Sequence, residues 1–203
     1  MKPLLKVCGV TAAEFAAAAA RRGVDYIGTI FVAQSPRCVD SATARAVAEA
    51  ARGTGAPVRI VGVFAGQTAE EIVGIAAEIP LDVVQLHGEY GDGDVRFIKA
   101  RGLETWRLDR GGGPVEDAVL LDGAAGGRTG GTGVRADWSR IPALKASGRR
   151  VVLAGGLSCG NIAAAAGTGA DILDVNSSLE TAPGVKSIER LDMLISALRE
   201  VRG

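Results

Sequence analysis

Histidine occurs once in the 203 residues, at His87, and cysteine three times, at Cys8, Cys38 and Cys159. A single histidine excludes zinc sites built on several imidazoles, and no cysteine–histidine spacing matches a metal site, so no metal is expected. An odd cysteine count in a chain long enough to bury its own core argues against a disulfide framework and fits a reducing cytoplasm. Net charge is also lacking, with 23 Lys and Arg against 23 Asp and Glu. Without a basic stripe or a net field, neither nucleic acid nor a membrane surface is an expected partner. The longest apolar stretches, such as Phe15 to Ala20, are alanine-rich and far too short to span a bilayer. The amino end passes from one lysine into an apolar run, unlike a signal peptide. No Gly-x-Gly-x-x-Gly follows that run and no Walker lysine occurs, so a nucleotide cofactor is not expected.

What is present is alternation. Apolar, β-branched runs predict strands at Leu4–Cys8, Asp25–Phe31, Val58–Phe64, Val83–Leu86, Glu104–Leu108, Ala118–Asp122, Arg150–Ala154 and Ile172–Val175. They are nearly continuous hydrophobics, as parallel strands covered on both faces require. Alanine-rich amphipathic segments separate them. Thr11-Ala-Ala-Glu14 and Thr68-Ala-Glu-Glu71 both read as capping boxes. The last helix, from Lys186 to about Val201, sets Ile188, Leu191, Leu194, Ile195, Leu198 and Val201 on one face. Between strands five and six, Arg110-Gly-Gly-Gly-Pro114 reduces the fifth helix to a loop, leaving seven helices. Eight such units make a closed (β/α)8 barrel spanning 1–203 as one α/β domain, near the lower size limit of that fold. An open doubly wound sheet is the competing architecture. The glycine-rich stretch Gly123–Gly133 reads as a long loop.

In a barrel, chemistry gathers where strands end. Strand one delivers Cys8, strand four Gln85 and His87, strand six Asp122, and the loop after strand two carries Arg37. A thiol and a carboxyl on one rim can remove a proton from carbon and give one to oxygen, as aldose–ketose isomerisation requires. The plainer readings are a small buried hydrophobe for Cys8, a loop cap for Asp122 and a solvated surface cation for Arg37, although a guanidinium fork suits a carboxylate. Cys38 and Cys159 are read as inert. Gly155 and Gly156 after strand seven, with Asn176, Ser177 and Ser178 opening a short helix after strand eight, suggest a phosphate cradle of backbone N–H groups. Either loop alone is weak, because glycine pairs mostly serve tight turns.

These residues resemble the phosphoribosylanthranilate isomerase family across almost the whole chain. The matching segments are Lys6-Val-Cys-Gly-Val-Thr11, Gly28-Thr-Ile-Phe31, Ser35-Pro-Arg-Cys-Val39, Val61-Gly-Val-Phe64, Val84-Gln-Leu-His-Gly88 and Leu121-Asp122. They continue with Gly130-Gly-Thr-Gly133 before Asp137-Trp138, then Leu153-Ala-Gly-Gly-Leu157, Asn161, Asn176-Ser-Ser-Leu-Glu180 and Pro183-Gly-Val-Lys186. The resemblance implies a TIM barrel of the ribulose-phosphate-binding type and an Amadori rearrangement of N-(5-phosphoribosyl)anthranilate in tryptophan biosynthesis, without cofactor. It implies Cys8 as general base, Asp122 as general acid, and Arg37 on the anthranilate carboxylate. It also implies a phosphorylated small-molecule substrate held by Gln85, His87 and the cradle residues, and a monomer or homodimer in the cytoplasm. Departures from the family pattern are Ala136 where an aromatic is usual, Arg107 where lysine is common, and a longer loop after Asp122. A related aminoaldose-phosphate isomerase with another aryl amine, or a barrel that binds phosphate ligands without catalysis, are the alternatives.

Overall fold

The computed structural model describes residues 2–109, 115–123 and 136–200. Eight parallel strands, β1 (Leu4–Val7), β2 (Tyr26–Ile30), β3 (Arg59–Phe64), β4 (Val83–Leu86), β5 (Glu104–Leu108), β6 (Ala118–Leu121), β7 (Val151–Leu153) and β8 (Ile172–Val175), pair in chain order. β1 pairs with both β2 and β8, so the sheet closes and the open doubly wound alternative is excluded. Seven α-helices are found among the described residues: α1 (Ala13–Arg21), α2 (Ser41–Arg52), α3 (Ala69–Glu78), α4 (Asp92–Lys99), α5 (Ile141–Ala146), α6 (Ile162–Ala166) and α7 (Ile188–Glu200). Arg110–Pro114, expected as the loop in place of a fifth helix, lies outside the described residues, as does the glycine-rich stretch beyond Gly123. No helix among the described residues is long and apolar enough to cross a membrane.

Strand side chains alternate between two cores. Leu5, Val7, Ile27, Ile60, Val84, Val119, Leu153 and Leu173 face the helices, whereas Tyr26, Ile30, Val61, Val63, Trp106, Leu120, Val152 and Ile172 fill the barrel. The interior is sealed at its amino end by a polar knot. Glu104 accepts from Trp106 Nε1 at 2.6 Å, Arg150 at 2.8 Å and Arg59 at 2.5 Å, while Arg150 also donates to the Tyr26 hydroxyl at 2.8 Å.

Four aspartates repeat one tie around the barrel. Asp25, Asp82, Asp117 and Asp171 each stand just before an even-numbered strand. Their carboxylates accept the backbone N–H of Leu5 (2.8 Å), Ile60 (2.7 Å), Thr105 (2.8 Å) and Val151 (2.7 Å) on the odd strand before it. Those N–H groups begin strands on the face where the ladder has no further partner, so an acceptor there offsets a buried unpaired donor. Asp25→Ala is expected to cost about 2 kcal/mol, the usual worth of a hydrogen bond to a charged acceptor, read as a lower midpoint in urea unfolding at unchanged slope.

Of three local expectations, one holds and two are corrected. The Thr68 capping box forms, with Thr68 Oγ1 accepting from Glu71 N–H and Glu71 returning the bond. The Thr11 box does not: α1 is capped by Ala12 without a side-chain bond, and the Thr11 hydroxyl donates instead to Gly184 O at 2.8 Å. The last helix begins at Ile188, two residues later than expected, because Glu180–Ala182 and Val185–Lys186 form a small antiparallel hairpin, β9 and β10. Ser187 then starts the helix, its hydroxyl accepting from Arg190 N–H. The core-facing residues Leu191, Leu194, Ile195 and Leu198 are buried as read, and Val201 lies outside the described residues.

Candidate active site

The carboxyl ends of the strands bring most of the singled-out residues to one mouth. Cys8 follows β1 by one residue, its N–H still donating to Val175 O of β8 at 2.9 Å, and it is buried at the floor. Residues 6 and 8 point the same way on a strand, so Lys6 lies one step below the thiol inside the barrel. Lys6 pairs in register with Asp174 on β8, and its ammonium meets Asp174 Oδ2 at 2.6 Å with both side chains buried. Burial opposes the ammonium, but Asp174 and then Cys8 push Lys6 above the ordinary lysine value, while burial pushes the Asp174 carboxyl up against the pull of Lys6. Burial pushes the Cys8 thiol up, Lys6 pulls it down, and Asp174 adds to the rise. The room for this comes from Gly28 on β2. A methyl there would sit 3.1 Å from Cys8 Sγ and 3.3 Å from Lys6 Cε.

Across the barrel, Gln85 and His87 point inward from β4, with Gln85 Nε2 at 2.7 Å from His87 Nε2. The amide donating to Nε2 leaves the ring proton on Nδ1. Burial holds the imidazole down at about 4, with Lys6 adding to the fall and Asp122 opposing it. His87 is therefore neutral near neutrality. An unfolded histidine takes its proton near 6.5, the folded one only at about 4, so stability is lost as pH falls between these values. The loss reaches about 3 kcal/mol, and His87→Gln is expected to flatten that part of the stability–pH curve. Asp122, half-buried just past β6, acts electrostatically on both His87 and Asp174, so all these groups belong to one cluster.

Arg37 is not the solvated surface cation of the plainer reading. Its Nε and Nη2 both donate to the Glu180 carboxylate at 2.7 Å, and only 12 % of the side chain is exposed. The same carboxylate takes Lys186 Nζ at 2.7 Å, and Lys186 also donates to Asn176 O at 3.0 Å and Asn176 Oδ1 at 2.7 Å. Gly9 permits this crowding. It holds φ at +68°, and a side chain there would come within 2.6 Å of Arg37 Cδ and 2.9 Å of Asn176 Oδ1.

The two cradle loops are joined. Ser178 Oγ donates to Leu157 O at 2.7 Å, and Asn161 Nδ2 holds Gly156 O at 2.8 Å. Gly155 and Gly156 both take positive φ, at +84° and +66°, and Ser177 opens a single 3-10 turn, Ser177–Leu179, as expected. The Ser178 hydroxyl and Asn176 Oδ1 are thus engaged in framework bonds. Cys38 is exposed and Cys159 half-buried, both free thiols.

Lys6, Asp174, Glu180 and Lys186 were not singled out as site residues. Lys6 and Asp174 carried a usable signal, each being a charge inside an apolar strand that a closed barrel buries. Glu180 and Lys186 lie on a hairpin too short for periodicity to reveal.

Residues 5–197 match the profile of the family described as N-(5'phosphoribosyl)anthranilate (PRA) isomerase. The tryptophan biosynthesis protein TrpCF of Yersinia pestis is 39% identical over 205 residues; the match takes in 96% of this chain but 41% of that longer protein. The N-(5'-phosphoribosyl)anthranilate isomerase of Pseudomonas aeruginosa strain UCBPP-PA14 is 36% identical, covering 98% of this chain and 96% of that one. The crystal structure of phosphoribosyl anthranilate isomerase from Thermus thermophilus superposes with a TM-score of 0.85 at 32% identity, over 98% of this chain and all of that one. A closed barrel with a thiol, a carboxyl and a guanidinium at one mouth, matched along nearly its whole length, places the chain in the family of N-(5'-phosphoribosyl)anthranilate isomerases of tryptophan biosynthesis.

Proposed function

We propose that the chain isomerises N-(5-phosphoribosyl)anthranilate to 1-(2-carboxyphenylamino)-1-deoxyribulose 5-phosphate, with Asp122 as general acid and Cys8 as general base. The observation that supports this reading is that Cys8 and Asp122 each follow the carboxyl end of a strand, β1 and β6, on different sides of the closed barrel, with Asp174 acting on the first and acted on by the second. Asp122 gives a proton to the furanose ring oxygen as the bond from that oxygen to C1′ breaks. The anilino nitrogen supplies the electron pair, forming a C1′=N iminium. Cys8 thiolate then takes the proton from C2′: the C–H bond breaks, the S–H bond forms, and the released pair flows through C1′ to neutralise the iminium nitrogen. The enolamine gains a proton at C1′ and loses one from the 2′ hydroxyl, giving the ketone. Oxidation at C2′ is matched by reduction at C1′, so the balance closes within the substrate.

The binding groups divide by charge. Glu180 fixes Arg37 by its Nε and Nη2, which orients the remaining Nη1 side of the fork for the anthranilate carboxylate. Gly155, Gly156, Ser177 and Ser178 offer backbone groups from the loops after β7 and β8 for the phosphate, which anchors the sugar so that C2′ stays over the sulfur. Gln85 and His87 line the interior at the end of β4. The test is direct turnover of freshly formed phosphoribosylanthranilate, followed by loss of its fluorescence. The purified chain is expected to convert it at enzymic rates and to leave the histidine-pathway aminoaldose unconverted. Failure on the first substrate, or equal action on both, overturns the assignment.

A further inference from the structure

We propose that Lys6, held by Asp174, is a positioning residue that sets the ionisation of the Cys8 thiol. The proposal rests on the reading of Cys8 as the base, and it begins from geometry. The Lys6 ammonium is buried one strand step below the sulfur, locked at 2.6 Å to a carboxylate that is itself buried. Gly28 supplies no side chain to separate ammonium stem and sulfur, since an added Cβ would touch both Cys8 and Lys6. Asp174 Oδ1 has no hydrogen-bond partner among the described residues, so this carboxylate is directed by the ammonium rather than by a surrounding network. Isolated ion pairs in an apolar barrel are costly, and a hydrophobic pair of similar volume would fill the same space without that cost. Retaining the charges directly beneath a reactive sulfur is accounted for if they act on it.

The charges around the sulfur come from four elements. Lys6 on β1 favours the thiolate by charge and hydrogen bonding, and Lys186 on β10 favours it more weakly. Arg37, in the loop after β2, is coupled to the thiol in the same sense. Asp174 on β8 opposes it. Asp122 acts on Asp174 and on His87, and Lys6 on His87. Lys6 therefore pulls the buried thiol down, and Asp174 holds the ammonium in place while opposing its effect; with Asp174 removed, the thiolate itself is the counter-ion left to Lys6.

Opposite signs make the test. In a Cys38→Ser, Cys159→Ser background, Cys8 is titrated by ultraviolet thiolate absorbance. Lys6→Met is expected to move the titration up by about one unit or more, and Asp174→Asn to move it down by a similar amount. With Lys6→Met, kcat/KM at neutral pH falls about tenfold per unit of that shift and recovers as pH rises. Lys6→Arg keeps most of the original titration. A merely structural pair would lower activity in both variants without displacing the titration in opposite directions, and an unmoved or same-signed titration overturns the proposal. Should Lys6→Met not fold, Asp174→Asn alone decides by the sign of its shift. The base assignment stands or falls separately: if Cys8→Ala keeps its turnover, that reading is lost whatever the titrations show.

Discussion

Cys8→Ala and Asp122→Asn are each expected to lower kcat for the isomerisation by about 10²–10⁴-fold, with circular dichroism and urea unfolding little changed. The alanine removes the sulfur at the floor of the mouth and leaves a small apolar group where a small buried group already sits, so the cost to packing is slight. Asparagine keeps the shape of Asp122 but has no acidic proton for the ring oxygen. Because acid and base act in successive steps, combining the two changes is expected to cost less than the product of the single effects. Near-normal turnover in either variant removes its residue from the proposed chemistry. Retained affinity for a reduced product analogue in both would separate lost chemistry from lost binding.

The second large effect belongs to Glu180. Its carboxylate holds Arg37 and Lys186 together and ties the β9–β10 hairpin to the mouth, with Arg190 donating to its backbone oxygen. Removing one member of a buried ionic cluster leaves the others uncompensated, so Glu180→Ala is expected to cost about 3 kcal/mol. It should also raise KM more than it lowers kcat, since the guanidinium loses its brace while the acid and base remain. Burial would raise the Glu180 pKa, but hydrogen bonds from Arg37 and Lys186 more than offset it and hold the carboxylate below its usual value. A depressed acid contributes stability that is full above the unfolded value and lost as pH falls through the folded one. The advantage of the native chain over Glu180→Gln is therefore expected to be complete near neutrality and to shrink below about pH 4. An equal gap at both pH values would mean that the carboxylate's charge is not what anchors the hairpin.

How far the sequence reached depended on the range of the forces involved. All eight strands lie where continuous apolar runs placed them, because burial on both faces leaves a strong local signature. Thr11 and Thr68 stand in the same four-residue pattern, yet only Thr68 makes the box, because a carbonyl at Gly184, distant in sequence, draws the Thr11 hydroxyl away. Lys186 looked like the start of a helix on periodicity alone, and the acceptors that pull it into the mouth lie on Asn176 and Glu180. Cys8, Asp122 and Arg37 could be singled out because strand ends are also loop starts. Their supports, Lys6, Asp174 and Glu180, are meaningful only once the sheet has closed and non-neighbouring strands have met.

The aspartate ties before β2, β4, β6 and β8 also rank the places where this ring can be cut. Each joins an even strand to its immediate odd predecessor, so the ring consists of four stapled doublets. New termini opened behind an even strand leave every staple inside continuous chain. Termini opened behind an odd strand part a staple's two ends, and a circularly permuted chain of that kind must recover the lost tether from the rest of the ring.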